Sequence, residues 1–241
     1  MKFWNVMRGF LGIELVEVSY TEKLVAAFGG ATAILFLIVL SSWMLPAAGA
    51  TAIITSMGAS AVLLFAVPHG QLSQPWAVIA GHGVSAVIGV TCARFVPNPV
   101  MAAGCAVGLA ICTMHQLKCI HPPGGATAFA AVMGGSAIQS LGYRFVFTPV
   151  LLNAVVMVLL AILINSAFKW RRYPASLNRQ AKFSKPDTFV DTSVPTHEEV
   201  VAAIRAIDSF VDVSEADLLR LTSLLSQNRK LANSNPRHVL H

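Results

Sequence analysis

One short segment of the chain concentrates residue types that bind small ligands. Lys118 and His121 precede a Pro-Pro-Gly-Gly run at residues 122–125, and Thr127 follows it. Proline suits the first turn of a helix, and glycine leaves the backbone N–H groups open to a ligand. Because the helix dipole makes that end attractive to negative charge, the segment predicts a site for a small anion.

A second short run repeats part of this pattern. Residues 58–61, Gly-Ala-Ser-Ala, recur as Gly-Ala-Thr-Ala at residues 125–128. Each run lies in a short apolar segment between two longer ones, so the second three-segment unit would enter the membrane in the opposite sense. Inverted repeats of this kind are typical of transporters, with the substrate between the halves. We therefore expect Ser60 and Thr127 to meet in the bilayer, where each run opens or interrupts a helix.

The predicted substrate-binding residues combine hydroxyl, imidazole, amine and glycine positions: Gly58, Ser60, His82, Lys118, His121, Gly124, Gly125 and Thr127. We interpret His121 as an anion ligand, a proton carrier or a helix cap, and favour a functional role because ionisable residues within membranes usually have one. Lys118 either supplies charge to a bound anion or snorkels to the interface. We interpret His82 mainly as a packed, hydrogen-bonded histidine, which can also line the transport pathway.

The composition predicts a membrane protein. Hydrophobic residues make up 55% of the 241 residues and charged residues only 12%, whereas soluble domains carry about 25% charged residues. Between Lys23 and Lys169 the only ionised side chains are Arg94, Lys118 and Arg144, and no Asp or Glu occurs from residue 23 to residue 186. Cation sites in membranes usually use carboxylates, so this composition favours an anion as the substrate.

Six apolar segments approach the length of about 20 residues that a helix needs to cross the hydrocarbon core. They are residues 24–45, 49–67, 76–95, 100–117, 124–141 and 145–168. Their continuous apolar character indicates helices, since the strands of a membrane barrel would alternate. We expect an all-α membrane protein with about six transmembrane helices in two inverted three-helix repeats. If the glycine-rich segments 49–67 and 124–141 enter and leave the membrane on the same side, the alternative is a protein with four spans.

The chain divides by composition into four parts: an N-terminal cytoplasmic or interfacial segment at 1–23, a transmembrane domain at 24–168, a basic linker at 169–195 and a helical tail at 196–241. Basic residues flank the transmembrane domain on both sides, which predicts that both termini are cytoplasmic. This fits a multi-pass protein of a bacterial inner (cell) membrane and gives no reason to expect nucleic acid as a partner. The tail helices would pack on each other, on the membrane domain or on a second subunit of a homodimer.

The sequence also resembles a known family. Residues 121–127, His-Pro-Pro-Gly-Gly-Ala-Thr, are similar to the signature of the HPP family of integral membrane proteins, and residues 57–66, Gln74-Pro75 and Gly81-His82 match it too. The resemblance implies a transporter with four or more spans. It also implies nitrite or a similar anion as the substrate, because some plastid and cyanobacterial members are associated with nitrite transport. The loop at 68–75 departs from the Ser-Pro-Leu-Ala form more usual in the family.

Three other functions compete with anion transport. Cys105, Cys112 and Cys119 recur every seven residues, and thiolate ligands would suit a transporter or sensor of soft metals, although cysteine also packs as a small apolar residue. Ser60 with a histidine would suit an intramembrane protease, but no carboxylate is available to orient the histidine. A structural or signalling membrane protein is the third alternative. We expect no enzyme activity, no cofactor and no bound metal.

Overall fold

A computed structural model describes Met7 and residues 18–177, and all regular structure in this part of the chain is helical. The chain divides into two compact units, one of residues 23–184 and one of residues 1–22 with 185–241. Nearly all of the second unit lies outside the described residues. The predictions for the N-terminal segment and for the tail helices at 197–230 therefore fall outside them as well.

Seven α-helices follow one another along the described chain. They are α1 (Tyr20–Ser42), α2 (Ala47–Ala66), α3 (Pro75–Phe95), α4 (Pro99–Gln116), α5 (Pro122–Met133), α6 (Ser136–Gln139) and α7 (Leu152–Ser166), and a π-helical segment, Val146–Leu151, leads into α7. Five helices in residues 18–177 are long and apolar enough to cross a membrane, the last formed by the π segment with α7. This confirms the predicted all-α membrane fold, while the inverted repeat stays a prediction.

The two glycine-rich segments differ from expectation. Residues 58–60 lie in the middle of α2, which continues unbroken from Ala47 to Ala66, so the expectation that they interrupt or open a helix was wrong. A single glycine inside a helix costs only about 1 kcal/mol relative to alanine, and apolar neighbours on both sides carry the helix across it. The segment predicted at 124–141 forms α5 and α6 instead, since α5 has 12 residues and spans only about 18 Å.

Helices α3 and α5 lie at the centre of the packing. Val90 of α3 and Ala131 of α5 belong to one apolar core with α1, α2 and α7, while Cys92 of α3 and Ala128 of α5 belong to a second core with α4. At Gly89 the two central helices touch, because a Cβ added there would lie 2.6 Å from the Ala128 carbonyl oxygen. Small residues permit such close approach of membrane helices.

Small residues recur every four positions on two helices, at Gly81, Ser85 and Gly89 on α3 and at Gly104, Gly108 and Cys112 on α4, and the two stripes behave differently. Gly81, Ser85 and Gly89 on α3 face α5 and the segment before it. On α4, by contrast, a Cβ added at Gly104 or Gly108 meets no atom of the described residues within 4 Å. The α4 stripe is therefore not used for packing within the described part of this chain.

The residues that follow α7 pack against the membrane domain. Arg171 is buried, and its guanidinium donates to the carbonyl oxygen of Phe65 and to Oδ1 of Asn165. Asn165 in turn donates to the carbonyl oxygen of Leu64 at 3.1 Å. These donors satisfy carbonyl groups at the C-terminal end of α2, which have no partner within the helix. Composition alone assigned Arg171 to an exposed basic flank, but it serves as a buried cap.

Replacing glycine with alanine should have different effects at the tight contact between α3 and α5 and at the open stripe on α4. Gly89→Ala should destabilise the protein by about 1–3 kcal/mol, the usual cost of overpacking, because the added methyl group would lie 2.6 Å from a backbone oxygen. Gly104→Ala, the matched control, should leave stability unchanged or raise it, since alanine favours the helix. Thermal unfolding in detergent measures both; equal melting temperatures for the two variants would contradict the packing described here.

Candidate functional site

Four wholly buried polar side chains meet inside the membrane domain and form what we call the polar cluster: Ser60, His82, His121 and Thr127. Ser60 comes from the middle of α2 and His82 from α3, while His121 is the residue directly before α5 and Thr127 lies in the second turn of α5. Since buried polar groups must find partners within the protein where lipid offers none, the contacts within this cluster define its chemistry.

The imidazole of His82 joins the two hydroxyl groups. Its Nε2 lies 2.8 Å from Oγ of Ser60, and its Nδ1 lies 2.8 Å from Oγ1 of Thr127. The two residues that the predicted repeat would make equivalent therefore lie on opposite sides of one ring. The structure brings them together through His82 rather than by direct contact.

His121 extends the cluster to a loop. Its Nε2 lies 2.9 Å from Oγ of Ser60, and its Nδ1 lies 2.8 Å from the carbonyl oxygen of Leu72. The rings of His82 and His121 meet edge to face, with their centroids 4.8 Å apart. Ser60 is thus shared by both imidazoles, which gives the cluster a continuous row of five hydrogen-bonding groups.

With both rings neutral, the chemistry of the partners fixes the direction of every bond in this row. A carbonyl oxygen can only accept, so His121 donates to Leu72 from Nδ1 and, as a neutral ring, accepts at Nε2 from Ser60. Ser60 has one hydroxyl proton, so His82 must donate to it from Nε2. His82 then accepts at Nδ1 from Thr127. Both rings are neutral in this arrangement, as complete burial favours.

Two close contacts hold the rings in place. A Cβ added to Gly81 would lie 2.7 Å from Cβ of His121, and one added to Gly124 would lie 2.9 Å from the carbonyl oxygen of Gly81. Glycine at both positions therefore lets the start of α5 press against α3. Gly124 contributes to the site through packing.

The loop between α2 and α3 is anchored on both sides of Leu72. Ser73 donates its hydroxyl to the carbonyl oxygen of Leu63, and Tyr173 donates to the carbonyl oxygen of Ser73 at 2.7 Å. Burial raises the pKa of Tyr173, which keeps its hydroxyl group protonated as a donor. Gln74 bonds to the carbonyl oxygens of Pro68 and Gly70 and accepts from the backbone of Ala175. The segment after α7 thus helps to position the acceptor for His121.

The remaining predicted residues lie around the polar cluster rather than in it. The Lys118 side chain is exposed, and the residue has a φ of 52° in the turn after α4. Gly58 and Gly125 are half-buried, and the nearest atom to a Cβ added at Gly125 is 4.0 Å away, on Val107. None of these three residues contributes a side-chain hydrogen bond to the cluster.

The cysteine stripe does not converge on one point. Cys105 and Cys112 are exposed, while Cys119 is buried in the turn before α5. Within residues 18–177, no group of three or more histidine, cysteine or acidic residues is placed to hold a metal ion. The geometry gives the soft-metal alternative no support in this part of the protein.

A cavity that the sequence did not predict lies at the other end of α3. It has a volume of about 550 Å³, and we call it the arginine cavity because Arg94 and Arg144 both line it, together with Tyr143 and Gln139. Its apolar lining includes Val90 and Ala131. The two arginines are 50 residues apart in sequence, so only the fold shows that two of the three ionised side chains in the membrane domain share one cavity.

The bond directions in the polar cluster can be checked directly. In protein labelled with ¹⁵N-histidine at neutral pH, His82 should carry its proton on Nε2 and His121 on Nδ1, because the Leu72 carbonyl imposes opposite tautomers on the two rings. Nitrogen chemical shifts distinguish the tautomers, and His115, which is exposed on α4, serves as the reference for a ring in exchange. The same tautomer on both rings would contradict the assignment.

Comparisons with known proteins agree with this architecture. The family described as "HPP, transmembrane region" matches residues 3–174. A transmembrane protein from Dictyostelium discoideum is 40% identical over 126 residues, which cover 51% of this chain and 44% of the relative. A second transmembrane protein from that organism is 41% identical over 123 residues, which cover 49% of this chain and 39% of the relative.

The chain spans less than half the length of these curated relatives, and their names state no activity or substrate. No solved structure matches the chain. The family match covers more than half of the chain and includes all four residues of the polar cluster. The chain is a multi-pass integral membrane protein that belongs to the HPP transmembrane family.

Proposed function

We propose that the protein moves a small inorganic anion, nitrite or one of similar size, across the membrane. One observation carries this proposal: two arginines line the arginine cavity, in a stretch of chain without a carboxylate from residue 23 to residue 186. Such a cavity attracts anions and repels cations, because opposite charges are lacking nearby and cavity walls of low dielectric strengthen the field. Its volume of about 550 Å³ accommodates an anion with several water molecules, each of about 30 Å³.

The lining of the arginine cavity points toward the polar cluster. Ala131 in its wall lies one helical turn from Thr127 along α5, and Val90 lies two turns from His82 along α3. Between the two sites α3 and α5 are in direct contact at Gly89. We propose that the cavity is the entry for the anion and that separation of α3 and α5 at this contact gives access to the cluster.

The polar cluster offers suitable donors once an anion arrives. Ser60 and Thr127 each have a hydroxyl group whose proton can turn from a histidine nitrogen to an anion. A hydrogen bond to a charged group contributes roughly 1.5–3 kcal/mol, which compensates part of the cost of removing a small anion from water. The hydroxyl groups would then bind the anion, with the two imidazoles beside them.

A serine hydrolase is the second candidate, because Oγ of Ser60 lies within 2.9 Å of Nε2 of both histidines. Such a contact is the usual arrangement of an activated nucleophile and its base. Two observations count against it: Ser60 is wholly buried, and no Asp or Glu occurs from residue 23 to residue 186 to orient a histidine. We propose that the protein is not an enzyme, and a fluorophosphonate probe should leave Ser60 unlabelled.

Neutralising the arginine cavity should weaken uptake of the anion. In proteoliposomes, Arg94→Gln and Arg144→Gln should each raise the KM for nitrite about threefold to tenfold, and the double variant should raise it further, because each removes one attracting charge from the entry. The effect should shrink at high ionic strength, which screens such fields. Lys169→Gln, which removes an exposed charge beyond α7, is the matched control and should leave the KM unchanged.

Two outcomes of this experiment would count against the proposed entry. Unchanged kinetics in the double variant would show that the arginine cavity is not on the route. A rise in the KM for Lys169→Gln equal to that for the cavity variants would show a general effect of net charge instead.

A further inference from the structure

We infer that the polar cluster binds one proton together with the anion, so that transport of the anion is coupled to protons. This inference rests on the function proposed above and adds the coupling ion to it. It is carried by the positions of two backbone carbonyl groups, those of Ser56 and Pro123, which lie beside the two hydroxyl groups of the cluster.

Each hydroxyl group has a second acceptor four residues earlier in its own helix. Oγ of Ser60 lies 3.2 Å from the carbonyl oxygen of Ser56, and Oγ1 of Thr127 lies 3.4 Å from that of Pro123. These distances exceed the 2.8–2.9 Å contacts with the imidazole nitrogens. In the neutral cluster the hydroxyl protons therefore point to the rings, and the two carbonyl groups are alternative positions for them.

A proton added to His121 leaves every group in the row with a partner. When Nε2 of His121 gains the proton, the ring donates to Ser60 and still donates to Leu72 from Nδ1. The hydroxyl proton of Ser60 then turns to the carbonyl oxygen of Ser56, and the serine oxygen accepts from both rings. Because an unsatisfied buried polar group costs about 1–3 kcal/mol, this ready alternative removes a main obstacle to protonation.

The same reasoning applies at His82. When its Nδ1 gains a proton, the ring donates to Thr127, whose own proton turns to the carbonyl oxygen of Pro123. The proton can also be relayed: as His82 gains a proton at Nδ1, the proton on its Nε2 passes to Ser60, and the serine proton passes to His121. The cluster gains one proton, which is held at His121, while His82 and Ser60 each release one proton and receive another.

The charge balance links this proton to the anion. Besides the two histidines of the cluster, residues 18–177 carry the following titratable or charged groups: Tyr20, Glu22 and Lys23 on α1; His69 before α3; Cys92 and Arg94 on α3; Cys105, Cys112 and His115 on α4; Lys118 and Cys119 before α5; Tyr143 and Arg144 before the π-helical segment; and Lys169, Arg171, Arg172 and Tyr173 after α7, with none on α2 or α7. The only carboxylate among them is that of Glu22, in the first turn of α1. A buried cation without a partner is costly, so an anion that accepts the hydroxyl proton in place of the backbone carbonyl is the partner that would stabilise a protonated ring.

The test uses proteoliposomes that contain the full chain, with nitrite as the probe anion and a pH-sensitive dye inside the vesicles. Nitrite uptake and internal acidification should be recorded together and corrected for protein-free vesicles, which report passage of the free acid through lipid. We expect one proton per nitrite and no acceleration by a potassium diffusion potential. Nitrite uptake that follows the diffusion potential without acidification would overturn the inference and leave the proposed function standing, whereas absence of uptake for nitrite and for other anions would overturn both.

A pair of variants shows whether the proton uses the cluster. His121→Asn keeps an N–H donor for the Leu72 carbonyl but cannot take up a proton, so acidification per nitrite should fall at least tenfold. His115→Asn, on the exposed side of α4, should keep the ratio of the wild-type protein. Acidification that persists unchanged in a folded protein that combines His121→Asn with His82→Asn would overturn the inference.

A binding measurement covers the case in which His121→Asn does not fold. In wild-type protein labelled with ¹⁵N-histidine, addition of nitrite should produce a doubly protonated imidazole signal from His121 or His82 at a pH where both are neutral without nitrite. Ser60→Ala, which removes the link between the rings, should lower the nitrite-induced signal at least fivefold. Nitrite binding with both rings still neutral would overturn the inference.

Discussion

A single backbone acceptor, the carbonyl oxygen of Leu72, determines the order of the polar cluster. Because a carbonyl oxygen cannot donate, the proton of His121 is fixed on Nδ1, and the tautomers and hydroxyl orientations follow one after another as far as Thr127. A cluster of four neutral side chains would otherwise have several arrangements of nearly equal energy. One fixed end turns it into a row with a defined direction, which is what transfer of a proton requires.

The rest of the fold serves to hold that acceptor and the two rings at hydrogen-bonding distance. Glycine at positions 81 and 124 lets α5 start against α3, which places His121 beside His82. The loop that carries Leu72 is bonded to α2 through Ser73 and to the segment after α7 through Tyr173. A change in the segment after α7 would therefore reach His121 through two hydrogen bonds and one peptide unit.

Much of this architecture could be predicted from the sequence. Long apolar segments fixed five spans to within four residues at either end, since burial in lipid allows few alternatives to a helix. The repeated small-residue runs suggested that Ser60 and Thr127 come together, and in the structure both hydroxyl groups contact the ring of His82. Gly58 led to a wrong prediction of a helix break. Glycines follow two prolines at the start of α5, but inside α2 no proline removes a hydrogen bond, so the helix continues through Gly58.

Other features could not be predicted because they depend on contacts between distant parts of the chain. The Leu72 carbonyl is a backbone group in a loop, and no residue type marks it as a partner of His121. The arginine cavity is lined by both Arg94 and Arg144, which lie 50 residues apart in the sequence. Arg171 follows the last helix like any basic flank, and only the structure shows that it is buried against α2.

We propose that a membrane domain without carboxylates carries anions and not cations. This proposal is tested most directly by the ion selectivity of the purified protein in proteoliposomes, with nitrite, nitrate, formate and chloride offered against sodium and potassium under matched gradients. The domain should pass one or more of the anions at rates well above those of protein-free vesicles and should pass neither cation. Flux of sodium or potassium that exceeds the flux of every anion would contradict the claim.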